Sequence, residues 1–166
     1  MTQQSTTTQE FYGPSVLRLD LPRGSAQPAA WRWVLATIAA VAASLLACFG
    51  LAHSAILLFP PLASYEHFQF TDYSKLTIAG VVAACVGWPL IAWFSSYGRR
   101  LYLWLGVLAT VVSLAPDAWI LHLGQPPAGV ITLGIMHVAL GVITVAAMVL
   151  LAPQRAPRSV RERRTE

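Results

Sequence analysis

Charge is what this chain has least of. Asp, Glu, Lys and Arg together make up 11% of its 166 residues, against roughly a quarter in soluble domains. That shortage excludes an ordinary water-soluble fold, whose surface is built from those groups. Cysteine is scarce too: Cys48 and Cys85 are the two present, both inside apolar stretches. Thiols so placed build no disulfide framework and behave as small hydrophobes. There is no glycine-rich phosphate loop and no Ser–His–Asp arrangement, and His and Asp are scattered, with no close ligand pair on one helix for zinc. No polar stretch is long enough to hold an active site of its own. The expectation is a non-enzymatic protein with no catalytic residues, no metal and no resident cofactor.

What the chain does have is apolar sequence, 56% of its residues, gathered into four runs. The first is expected over 31–59, roughly 43 Å as a helix against a hydrocarbon core of about 30 Å, so it must tilt or protrude. Leu45-Leu46-Ala47-Cys48 has the look of a lipoprotein processing box. The residues after Cys48 stay apolar to Phe59, which favours an uncleaved helix. Pro60-Pro61 ends this run, and Tyr65, Phe68, Phe70 and Tyr73 follow as aromatics suited to headgroup depth. Further spans are expected over 76–94, with a kink at Trp88-Pro89, over 101–123, and over 129–152. The fold class is therefore an all-α membrane protein, a four-helix transmembrane bundle over 31–152. Its loops are short, residues 1–30 form a polar tail, and residues 153–166 form a basic tail; both tails read as disordered. Within the first tail, residues 16–21 alternate apolar and polar side chains, a pattern able to add to a sheet edge but too short to carry weight.

Orientation follows from arginine. With both termini in the cytoplasm, that side holds Arg18, Arg23, Arg32, Arg99, Arg100 and the five arginines of the C-terminal tail, and the other side holds Lys75. This asymmetry places the protein in the cytoplasmic (inner) membrane with both ends inside. Trp31, Trp33, Trp93 and Trp104 then fall at the cytoplasmic interface as an aromatic belt. The basic tail has anionic lipid headgroups as its natural partner rather than nucleic acid.

Three residues stand where lipid should refuse them. Asp117 lies in the third run, His137 in the fourth and His53 in the first, all roughly 9–12 Å from the same face if each run is a helix. An intramembrane carboxylate is costly and normally turns into the bundle. Gly134, His137, Gly141 and Thr144 share one helical face, so His137 is expected in a helix–helix contact. Matching small-residue strips are Ala36, Ala40, Ala43, Ala47, Gly50 and Ser54 in the first run, and Gly80, Ala84 and Gly87 in the second. Asp117 and His137 can be structural, with Asp117 serving backbone groups freed by Pro116. They can instead form a proton or cation relay in a small coupled transporter. His53 and His137 can also be read as axial ligands of a b-type haem. His122 reads as interfacial.

With Pro116-Asp117-Ala118-Trp119 in the third run and Ile135-Met136-His137 in the fourth, the chain resembles the small four-helix membrane proteins of actinobacterial type known as a domain of unknown function. The likeness covers roughly Trp31 to Pro153 and includes Gly87-Trp88 in the second run. It implies the fold and a cytoplasmic-membrane location, and it brings no activity with it. The function expected from these readings together is that of an accessory or interaction subunit, with a protein partner or a second copy in the membrane.

Overall fold

The computed structural model describes residues 27–155. The alternating run at 16–21, nearly all of the N-terminal tail and four of the five tail arginines lie outside those residues. Four helices follow in order, α1 (Ala30–Leu58), α2 (Phe70–Phe94), α3 (Gly98–His122) and α4 (Pro127–Leu151). Two 3-10 turns, Pro60–Ser64 and Glu66–Phe68, stand between the first two helices, and the described residues contain no strand. Each helix is long and apolar enough to cross a membrane. The protein is a four-helix bundle of membrane-spanning character.

Helix α2 starts six residues before the expected 76, and α3 starts at Gly98, taking in Arg99 and Arg100. Hydropathy marks where a helix leaves hydrocarbon, not where its backbone stops; Asp72 in the first turn of α2 suits the positive end of that helix. Pro89 and Pro116 both lie inside continuous helices.

The broadest packing seam joins α1 to α4; α3 lies on the flank of α4 and α2 on that of α1, and α2 meets α3 more than it meets α4. The buried stripe of α1 is Ala36, Ala40, Ser44, Cys48, Ala52 and Ala55. Its first two members are the expected ones. Beyond them the stripe keeps stepping by four as far as Ala52, and by three to Ala55, rather than alternating three and four, so Ala43, Gly50 and Ser54 are exposed and Ala47 half-buried. A row at i±4 forms a packing ridge of its own, and small side chains along it let another backbone come close. The same displacement occurs on α2, where Thr77, Val81, Cys85, Trp88 and Ala92 are buried. The expected Gly80 and Ala84 are exposed, and Gly87 is half-buried. In lipid both neighbouring rows are apolar enough; fit between large and small side chains decides which one turns inward.

At the end of the bundle that carries the chain termini, side-chain donors fasten backbone carbonyls. Pro89 has no N–H, so the Cys85 carbonyl, four residues earlier, lacks its helical donor. The Trp33 indole supplies one from α1, at 2.9 Å. Trp88 Nε1 donates to the Ala152 carbonyl at 2.7 Å and Arg32 Nε to that of Leu151 at 2.8 Å, satisfying acceptors that the end of α4 leaves open. Gln154 Nε2 donates to the Ser95 carbonyl at 2.7 Å, and the Tyr102 hydroxyl donates to that of Ala84 at 3.0 Å. Trp31, Trp93 and Trp104 remain exposed, but Trp33 turns inward, because a carbonyl freed in a membrane costs several kcal/mol until a donor reaches it.

The opposite, distal end is closed by the segment between α1 and α2. Of the aromatics expected at headgroup depth, Phe70 is exposed, whereas Tyr65, Phe68 and Tyr73 are buried. Pro60-Pro61 and the two 3-10 turns fold this segment over the bundle. Tyr65 meets Phe68 edge-on at 5.1 Å, in a cluster with Cys48, Ala52 and Met136. Three aromatics thus find apolar cover in protein rather than at the lipid interface.

Candidate functional site

Helix α3 buries little of itself: Gly98, Tyr102 and Asp117 are its buried residues. The inward row is Tyr102, Gly106, Thr110, Ser113 and Asp117, spaced four, four, three and four apart along one face. Two glycines set the approach of α3 to α4. A Cβ at Gly106 would come within 2.7 Å of Val145 Cγ2, and one at Gly141 would run into Thr110 Oγ1. Gly134 faces Leu114 in ordinary contact. The hydroxyls along this face bond back to their own helix: Thr110 donates to the Gly106 carbonyl and Ser113 to that of Thr110, both at 2.8 Å. The close approach is what allows a side chain as short as aspartate to reach α4.

Asp117 and His137 are brought together there. His137 Nδ1 lies 2.9 Å from Asp117 Oδ2 and 3.1 Å from the Leu133 carbonyl oxygen. One nitrogen therefore faces two oxygens. An Nδ1–H aimed at Leu133 leaves Oδ2 without an aligned donor, and Oδ2 is indeed buried without a hydrogen-bond partner. Yet a nitrogen and an oxygen this close must have a proton between or beside them, since two lone pairs would repel. Two placements fit the same heavy atoms. Either imidazole Nδ1–H is shared between Leu133 and the carboxylate, or a protonated Asp117 donates to Nδ1 and the imidazole carries its hydrogen on Nε2. Asp117 does not serve the carbonyl that Pro116 frees: an ionised carboxylate only accepts, and its side chain makes no backbone hydrogen bond among the described residues.

Tyr65 is a further member, and no pattern in the sequence pointed to it. Its ring lies on Gly129 in the first turn of α4, where a Cβ would sit 2.8 Å from Cε1. The residue is 8% exposed, Asp117 is 7% exposed, and the Tyr65 hydroxyl, like Oδ2, is buried without a partner. Burial pushes the phenol above its ordinary range, and the negative charge of Asp117 pushes it the same way. Tyr65 reaches the site through the fold of a loop, so its only trace in the sequence is a glycine placed to receive a ring.

The remaining candidates lie elsewhere. His53 is exposed on the outside of α1, with Nδ1 3.0 Å from its own Phe49 carbonyl and its ring against Phe49 at 4.0 Å. His137 instead lines a lateral groove of about 390 Å³ between α2, α3 and α4, together with Thr110, Ser113 and Thr144. His53 is not among the residues that line this groove. His122 is exposed beside Trp119 at the end of α3. Gly80 and Gly87 border the groove, and Gly50 faces outward; none of the three has a neighbour within 4 Å of a built Cβ. Among the described residues no three His, Cys, Asp or Glu side chains gather as a metal-ligand set. No protein-family description, curated protein or solved structure matches the chain.

Proposed function

We propose that this is a non-enzymatic, multi-pass protein of the cytoplasmic membrane that binds and releases a proton at the Asp117–His137 pair, as the coupling site of a small proton-linked transporter. The observation that supports it is the 2.9 Å approach of Nδ1 to an otherwise unpartnered, buried carboxylate oxygen. A carboxyl with two proton placements on one set of heavy atoms can change protonation with little rearrangement. His137, whose side chain is 36% exposed, opens one side of the pair onto the lateral groove, beside the hydroxyls of Thr110, Ser113 and Thr144. The distal cap holds Tyr65 over the other. Asp117 carries the proton in this reading, His137 tunes it, and Tyr65 closes the distal side of the site.

Infrared difference spectroscopy of the protein in proteoliposomes, stepped in pH, tests this directly. The wild type should show a protonated-carboxyl band that appears on acidification. Asp117→Asn should remove it while leaving the melting behaviour intact, and His137→Gln and Tyr65→Phe should each move its midpoint. A wild type with no titrating band that Asp117→Asn removes would refute the proposal.

A second reading, the accessory subunit, has its own support. Gly50, Gly80 and Gly87 present open positions on α1 and α2, and such positions suit close approach by a partner helix or a second copy. Pull-down in mild detergent followed by mass spectrometry separates the two: a chain that purifies alone and as a monomer removes this second reading and leaves the first untouched.

A further inference from the structure

The proton site takes up the distal end of the α3–α4 seam; the terminal end of the same seam holds an unrelated feature. A cavity of about 490 Å³ runs along the outer side of the two helices, between Leu103 and Val107 on α3 and Val138, Val142 and Val149 on α4, with Arg99 at its mouth. From Arg99 to Val111 it follows α3 for roughly 18 Å, a little more than half of a hydrocarbon core about 30 Å thick. It is thus an apolar channel about one leaflet long that ends in a cation.

That cation has no counter-charge in the chain as described. Arg99 and Arg100 are both exposed, the first turn of α3 contains no acidic residue, and the one ion pair among the described residues is His137–Asp117. The helix offers no relief either, since the arginines stand at the positive end of its dipole. An anion at the interface complements this charge, and the groove behind it suits hydrocarbon.

We propose that the α3–α4 groove binds an anionic phospholipid, its phosphate against Arg99 and one acyl chain lying along Leu103, Val107 and Val142. Charge complementarity selects the headgroup, and the valine-lined walls hold the chain. Neither Asp117 nor His137 lines this groove, although Gly106, Thr110 and Gly141 border both it and the groove beside His137.

The test is lipid retention by the full chain, purified in detergent and offered equal amounts of phosphatidylglycerol and phosphatidylcholine, read by native mass spectrometry with melting alongside. Wild type should keep phosphatidylglycerol several-fold over phosphatidylcholine. Arg99→Gln should lower that preference about fivefold, the value of one basic side chain beside an anionic surface. Val142→Phe, which changes no charge and narrows the groove, should reduce retention of either lipid. Inorganic phosphate without lipid should give no melting shift. Equal retention of the two lipids by wild type, unchanged preference in Arg99→Gln, or undiminished retention in Val142→Phe would each overturn the proposal. So would a phosphate shift equal to that of the lipid, which would mean an anion site with no acyl chain. A change in protomer number in Val142→Phe without lipid loss would make the groove a protein interface and overturn it as well.

Discussion

Gly141→Ala adds a single methyl group to α4 at the point where α3 comes closest. Two opposing effects can be weighed. In a helix, alanine is worth about 0.5–1 kcal/mol over glycine. Against this, the new Cβ runs into Thr110 Oγ1, and that oxygen is held by its 2.8 Å hydrogen bond to the Gly106 carbonyl. Overpacking of this kind costs about 1–3 kcal/mol, and rotating Thr110 away forfeits a bond worth about 0.5–1.5 kcal/mol. The net expectation is a destabilisation of about 0.5–2 kcal/mol. Gly50→Ala is the same chemical change at a position with nothing within 4 Å, and it should be neutral or slightly stabilising. The decisive comparison is Thr110→Ala. Alone it costs no more than that side-chain bond, about 0.5–1.5 kcal/mol, because the Gly106 carbonyl keeps its helical donor; combined with Gly141→Ala it should recover most of the overpacking cost. Melting in mild detergent measures all four variants against the wild type. Equal effects of Gly141→Ala and Gly50→Ala would refute the reasoning, as would a coupling energy under about 0.3–0.5 kcal/mol. The contact matters beyond packing, since Asp117 is two helical turns from Thr110 and His137 one turn from Gly141. A methyl group that parts these helices lengthens the Asp117–His137 approach, and the carboxyl band of Gly141→Ala should shift accordingly.

Two further predictions follow from the terminal end and the topology. Trp33→Phe strands the Cys85 carbonyl and should destabilise the bundle by about 1–3 kcal/mol; in a Pro89→Ala background, where residue 89 regains an N–H, the same change should cost clearly less, and an equal cost in both backgrounds would refute the capping role. With both termini in the cytoplasm, Ser64→Cys should react with an impermeant thiol reagent in intact cells and Ser96→Cys should not, whereas the reverse pattern would invert the bundle.

The sequence alone determined the number of helices and the approximate place of each, because hydrophobic run length against bilayer thickness is a one-dimensional property. It also marked Asp117 and His137, because an ionisable group inside an apolar run is anomalous whatever surrounds it. Which row of a helix turns inward was a tertiary decision. Ala36 and Ala40 could be read from spacing, but the step to Ser44, Cys48 and Ala52, and the choice of Val81, Cys85 and Trp88 over Gly80, Ala84 and Gly87, depended on how neighbouring helices cross. In a chain meant for lipid both rows are apolar, so hydropathy does not distinguish them. Trp33 likewise looked interfacial until a carbonyl freed by Pro89 on another helix gave its indole a partner. Tyr65 entered the site for the same kind of reason. The fold of a loop, and a glycine on α4 with room for its ring, brought its hydroxyl into the field of Asp117; contacts between segments far apart in the chain leave no periodicity to read.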